Sequence, residues 1–128
     1  MPIKILLVED DDGWRQLIER WLTERGCELA SCARFEGALE RARAFKPQLA
    51  ILDYELGDGK GTELCAALLK EPGLERLPVV LLTTLAERML EINREAPSAH
   101  FVAKTANPDE LFAVLSGLLP GFRSELSG

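Results

Sequence analysis

Two hydrophobic patterns alternate along this chain. Ile3 to Val8 (IKILLV) is a nearly unbroken apolar run, as expected of a strand buried on both faces. It stops at Glu9-Asp10-Asp11-Asp12. From Gly13 to Arg25 the period changes, and Trp14, Leu17, Ile18, Trp21 and Leu22 recur at i, i+3, i+4, i+7 and i+8. That spacing predicts an amphipathic helix. Asp11 or Asp12 caps its start, where negative charge also suits the helix dipole, and Gly26 stops it.

The alternation then repeats. Cys27 to Ser31 reads as a short, less apolar edge strand, followed by a helix marked by Phe35, Ala38, Leu39, Ala42 and Phe45 and ended by Pro47. Leu49 to Leu52 is a third strand and Thr62 to Lys70 a third helix, with Pro72-Gly73 as breakers. Leu77 to Thr83 is a fourth strand, and Leu85 to Glu95 a more polar fourth helix. Ala99 to Ala103 is a fifth strand. Asn107-Pro108-Asp109-Glu110 opens a fifth helix, with Asn107 as N-cap and Pro108 at the first helical position. Its apolar face is Leu111, Phe112, Val114, Leu115 and Leu118. Five strand–helix pairs with right-handed crossovers predict an α/β fold, a doubly wound five-stranded parallel sheet with helices on both faces. The domain is placed at residues 3–119, and the polar tail 120–128 is expected to fray.

Composition narrows the class. A chain of 128 residues, 47% hydrophobic and 28% charged, makes one soluble domain. The formal net charge of −6 argues against direct nucleic-acid binding, which needs a basic surface. No apolar run reaches transmembrane length and the N-terminus is no signal peptide, so the expectation is a cytoplasmic protein without a membrane partner. The three cysteines, Cys27, Cys32 and Cys65, lack metal-ligand spacing and read as small buried thiols.

Chemistry gathers at the strand ends. Parallel strands all point one way, and ligands collect at their carboxyl ends. Glu9 and Asp10 follow the first strand, Asp53 the third, Thr83 ends the fourth, and Lys104 follows the fifth. Carboxylates brought together repel, and their hard oxygens suit Mg²⁺, which leaves positions open for phosphate oxygens. Lys104 and the Thr83 hydroxyl can hold the remaining oxygens of a phosphoryl group, with Asp53 as the carboxylate nucleophile. The run Gly57-Asp58-Gly59-Lys60-Gly61-Thr62 is not a P-loop, because glycine follows the lysine. Nor is it an EF-hand, since the sixth position from Asp53 is Asp58 and the twelfth is Leu64.

The motifs ILLVEDD, LAILDYELGDGKG, VVLLTT and HFVAK, in that order and spacing, resemble the receiver (phosphoacceptor) domain of bacterial two-component response regulators. The resemblance runs from Ile3 to about Leu119 and implies a flavodoxin-like, receiver-type fold. It implies that Asp53 is phosphorylated, and that Glu9, Asp10, Asp53 and the backbone carbonyl of Glu55 hold Mg²⁺. Thr83 would move toward the phosphoryl group, Lys104 would pair with it, and Phe101 would be the switch aromatic. The implied partners are a sensor histidine kinase or phosphotransfer protein that donates from a phosphohistidine, and a downstream protein target or output domain. Such a domain is no enzyme in the ordinary sense, but promotes its own phosphorylation and dephosphorylation. Three positions depart from the family pattern: Gly57 and Thr105 where proline is common, and Thr84 in place of a small residue, expected to hinder access. Two other classes compete. A phosphorylation-independent scaffold has no physical need for so many uncompensated carboxylates. A Mg²⁺-dependent phosphatase with an aspartyl nucleophile usually carries that residue on its first strand and adds a cap domain.

Overall fold

The computed structural model describes residues 2–84 and 89–125. Strands β1 (Lys4–Val8), β2 (Glu28–Cys32), β3 (Leu49–Asp53), β6 (Val79–Thr83) and β7 (His100–Ala103) form one sheet in the order β2-β1-β3-β6-β7, with every pairing parallel. Helices α1 (Asp12–Thr23), α2 (Ala38–Phe45), α3 (Gly61–Leu69) and α4 (Met89–Glu95) lie between successive strands of this sheet, and α5 (Asp109–Leu118) follows the last. The expected fourth and fifth strands are β6 and β7, because a small antiparallel hairpin, β4 (Glu55–Leu56) and β5 (Gly59–Lys60), follows β3. Each of its strands is two residues long, too short to leave a periodic signal in the sequence.

The sheet is apolar on both faces because helices cover both. Ile5, Leu7, Leu49, Ile51, Val80 and Val102 join Ile18 and Leu22 of α1 and Leu111, Phe112 and Leu115 of α5 in one buried layer. Their neighbours in the alternation, Leu6, Val8, Ala50, Leu52 and Leu81, join Ala38, Ala42, Leu64, Leu68 and Ile92 in the other. The winding direction reverses between β1 and β3, so the loops after these strands diverge and leave a crevice at their carboxyl ends. Glu9, Asp10 and Asp53 are the residues at that crevice.

Several boundaries differ from expectation, each for a local reason. Asp11 is the α1 cap, its Oδ2 accepting the Trp14 N–H at 2.8 Å, and Asp12 is the first helical residue. Helix α2 begins at Ala38 rather than near Phe35, because Gly37 takes a left-handed φ of 85° at its N-cap. Pro108 rather than Asn107 is the N-cap of α5 and regular helix starts only at Asp109, although Asn107 Oδ1 still accepts the Asp109 N–H at 2.9 Å from one residue further back. The expected start of the fourth helix, Leu85, lies outside the described residues, and α4 runs from Met89.

Contacts with the domain continue after α5 as far as Ser124. Phe122 is buried, its ring centroid 5.6 Å from that of Phe112. The Arg25 guanidinium lies 4.2 Å from the centre of the Phe112 ring, and its Nε donates to the Ser124 carbonyl at 2.7 Å. A single aromatic beyond the last helical repeat makes no periodic signal, which is why the sequence reads as polar there. Residues 126–128 lie outside the described part.

Candidate functional site

The sheet register aligns the chemistry. Asp53 is the last residue of β3 and pairs with Leu82, one before Thr83 on β6. Thr83 in turn pairs with Ala103 on β7, and the Lys104 backbone N–H donates to the Thr83 carbonyl at 2.9 Å. Glu9 follows Val8 of β1 directly, and its backbone N–H donates to the Cys32 carbonyl at 3.0 Å. Rigid parallel backbone therefore delivers all of these groups to one end of the sheet.

Glu9 is fully buried and Asp53 is 6% exposed, while Asp10 faces solvent. One carboxylate oxygen from each of Glu9, Asp10 and Asp53 lies within 4.8 Å of the others. The buried Lys104 ammonium reaches Glu9 Oε1 at 2.5 Å and Asp53 Oδ1 at 3.2 Å. Glu9 Oε1 is thus charge-paired, though without a well-aligned hydrogen bond. Glu9 Oε2 accepts the Asp11 N–H at 3.2 Å, and Arg15 Nη1 donates to the Glu9 carbonyl at 3.1 Å. Arg15 also pairs with Asp12, so this side chain from α1 braces the acidic loop.

Among the described residues three carboxylates face one ammonium, and the imbalance shows at Asp53 and Lys104. Burial and the Glu9 charge push Asp53 up to about 8, against the pull of Lys104. Burial works against the charge on Lys104 as well, but the Glu9 and Asp53 carboxylates overcome it and hold the amine above its ordinary value. An acid held above its unfolded value near 4 favours the fold at low pH and loses that contribution as pH rises through the folded value. Without divalent metal, the urea midpoint is therefore expected to fall between pH 5 and pH 8. Added Mg²⁺ should raise the midpoint more at pH 8 than at pH 5, and an equal gain at both would contradict this account.

Glu55 lies in β4, its side chain exposed, opposite Lys60 of β5. Phe101 is not among the carboxylates. It sits on β7 opposite Leu81, half-buried against the layer containing Ile92 and Ala96. Trp14 and Trp21 are half-buried rather than fully core. The Trp14 ring lies 5.7 Å from Lys104 Nζ, and Trp21 meets Phe112 edge-on at 6.3 Å. His100 is exposed, and the Lys104–Thr105 peptide is trans.

Sequence reading missed the group beside Asp53. Tyr54 is buried, and its hydroxyl lies 3.0 Å from Glu91 Oε2 and 3.1 Å from Glu95 Oε1 on α4. Thr62 Oγ1 donates to Glu95 Oε1 at 3.2 Å, and Lys60 Nζ pairs with Glu95 Oε2 at 3.3 Å. Burial, reinforced by the two carboxylates, pushes the Tyr54 phenol above its ordinary value, so it stays a donor. The residue next to Asp53 is thereby tied to α4, whose one buried residue among those described is Ile92. Tyr54→Phe is expected to cost about 1–2 kcal/mol of stability. It should also speed amide exchange in α4 more than in α1, which hydrogen-exchange mass spectrometry would resolve.

Comparisons with known proteins show the family. The family model described as the response regulator receiver domain matches residues 5–116. The phosphate regulon transcriptional regulatory protein PhoB of Rhizobium meliloti is 32% identical over 124 residues, covering 96% of this chain and 55% of that protein. The chain thus spans about half the length of such relatives. Among solved structures, the chemotaxis response regulator CheY4 of Vibrio cholerae has a TM-score of 0.82 at 25% identity, covering 93% of this chain and all of that one. The response regulator TrrA of Thermotoga maritima, in complex with Mg²⁺ and beryllium fluoride, has a TM-score of 0.81 at 28% identity, covering 91% of this chain and 99% of that one. The chain belongs to the response regulator receiver domain family of two-component signal transduction.

Proposed function

We propose that Asp53 accepts a phosphoryl group from a phosphohistidine of a sensor kinase or phosphotransfer protein, and that its occupancy switches a partner-binding surface. The observation that carries this reading is the buried contact of Asp53 with Lys104 and Glu9 at the sheet's switch point. A carboxylate pressed against a second carboxylate has every reason to gain a cation. The three hard oxygens within 4.8 Å fit Mg²⁺ and would hold it with the Glu55 carbonyl. When bound, Mg²⁺ supplies charge neutralisation for the phosphoryl oxygens.

The remaining chemistry falls to this chain's own groups. An Asp53 oxygen bonds to phosphorus as the phosphorus–nitrogen bond to the donor imidazole breaks, and the departing ring nitrogen takes its proton from water. Lys104 stands 3.2 Å from Asp53 Oδ1, where it neutralises charge on the transferred group. Thr83, buried at the end of β6, offers a hydroxyl to a phosphoryl oxygen. The domain then acts as a phosphoacceptor that promotes its own phosphorylation and hydrolysis, in the cytoplasm, and passes the signal to a protein target or output domain.

Tyr54 supports the switching half of the proposal, because the residue next to the acceptor is bonded to α4. Hydrogen exchange with and without beryllofluoride and Mg²⁺ tests it. Altered exchange at the end of β3 together with α4 and β7 is expected. Beryllofluoride that leaves both regions unchanged would favour a phosphorylation-independent scaffold.

A further inference from the structure

We infer that Asp58 is a positioning residue for the Mg²⁺ site, clasping the loop after Asp53 into register with Asp10. This rests on the reading of Glu9, Asp10, Asp53 and the Glu55 carbonyl as the metal-holding set. The loop from Tyr54 to Lys60 carries that carbonyl and lies against the exposed ligand: a Cβ placed on Gly57 would stand 3.6 Å from Asp10 Oδ2. Glycine at this point contributes no ring or side chain to hold the loop. Something else has to keep it from drifting.

Asp58 does so with both of its oxygens. Oδ1 accepts the Phe35 N–H at 2.9 Å, and Oδ2 accepts the Glu36 N–H at 3.0 Å. These two backbone bonds, that from Glu36 first, hold the carboxyl below its ordinary range, so the clasp persists throughout the pH range in which the protein would work. One residue on, the Phe35 ring packs onto Gly59 so closely that a Cβ there would be 2.8 Å from Phe35 Cδ2. The loop after β3 is thus gripped at two successive residues by the loop after β2, across 23 residues of sequence. Asp10, Arg34, Gly57 and Asp58 line the same open cleft.

The geometry separates this role from two others. Asp58 is not itself a ligand, because each oxygen already faces an amide and it does not belong to the carboxylate cluster. Nor is it a pillar of the fold, because it is exposed and its two bonds lie at the surface. Its effect should therefore fall on the alignment of the Glu55 carbonyl and Gly57 with Asp10. Groups that orient metal ligands commonly weaken metal affinity when they are removed.

The test is a Mg²⁺ titration followed by tryptophan fluorescence, with Trp14 beside Lys104 as reporter, on wild type, Asp58→Ala, Asp58→Asn and Glu40→Gln. Asp58→Ala removes both bonds, and Asp58→Asn retains one acceptor oxygen. Glu40→Gln removes an exposed charge on α2 and controls for net charge. Affinity for Mg²⁺ should fall roughly tenfold in Asp58→Ala. It should fall by less in Asp58→Asn and stay unchanged in the control. Metal-free thermal midpoints should remain close together, and phosphorylation from acetyl phosphate should regain the wild-type rate at saturating Mg²⁺. Wild-type Mg²⁺ affinity in folded Asp58→Ala overturns the inference, even if its midpoint drops. If Asp58→Ala does not fold, wild-type affinity in Asp58→Asn does the same. A rate that stays low at saturating Mg²⁺ also overturns it, since Asp58 would then serve the chemistry. Failure of the wild type to take up Mg²⁺ would instead remove the metal-site reading beneath it.

Discussion

Lys104→Met is expected to lose about 3–5 kcal/mol of folding stability near neutral pH, the range found when one partner of a buried ion pair is removed. The methionine keeps most of the stem's volume, so the loss is electrostatic. Glu9 is fully buried and Asp53 nearly so, and among the described residues Lys104 is the one ammonium placed on both. Without it, the two carboxylates are left to repel each other, and the protein should answer by taking up a proton. The deficit should accordingly shrink as pH falls from 8 to 5, because Asp53, already held up to about 8 beside Lys104, protonates more readily still without it. It should shrink again on adding Mg²⁺, which replaces the lost positive charge. Urea denaturation of wild type and variant at pH 5 and pH 8, with and without Mg²⁺, reads all of this. Transfer to Asp53 should also slow by on the order of a hundredfold, as when a fixed donor to developing charge is removed. A pH-independent, Mg²⁺-independent deficit would mean that Lys104 matters for packing alone.

Gly61→Ala is expected to be the most damaging change to the fold itself. Gly61 is the first residue of α3, and its N–H donates to the Tyr54 carbonyl at 2.8 Å. A Cβ there would lie 2.2 Å from the Asp53 carbonyl oxygen and 3.0 Å from its carbonyl carbon. Both obstacles are backbone, at the end of the central strand, and cannot rotate away. Either α3 or the end of β3 must move. We expect a loss of about 3 kcal/mol or more, which corresponds to a fall of roughly 10 °C or more in melting temperature. The shift should also reach the Asp53 carboxylate, because the displaced carbonyl belongs to the same residue. Gly57→Ala is the contrast. Its Cβ would meet only Asp10 Oδ2 at ordinary contact distance, so it should fold as wild type. A wild-type melting temperature for Gly61→Ala would show that α3 can slide.

What was legible in the sequence depended on whether the signal was periodic. Strands β1, β3 and β6 announce themselves as apolar runs because helices cover both faces of the sheet, and α1 shows its stripe because one face meets that sheet. The positions of Glu9, Asp10, Asp53, Thr83 and Lys104 follow at once, since each ends or follows a strand and parallel strands share one exit side. The pairing of Lys104 with Glu9, not only with Asp53, needed coordinates. Tyr54 with Glu91 and Glu95, and Asp58 with the amides of Phe35 and Glu36, were not legible. These contacts join residues 22 to 41 positions apart, and one polar partner at such a distance leaves no repeat. Phe122 escaped for the same reason, a lone aromatic after the helical stripe has ended.

The central claim is that Asp53 is the phosphoacceptor and that the acidic cluster around it works with Mg²⁺. The intact mass of the protein after incubation with acetyl phosphate and Mg²⁺, beside an Asp53→Asn control, tests it most directly. One added phosphoryl group on the wild type, lost when Mg²⁺ is withheld and absent from Asp53→Asn, is the predicted result. An adduct that persists in Asp53→Asn, or that forms equally well without Mg²⁺, would contradict it.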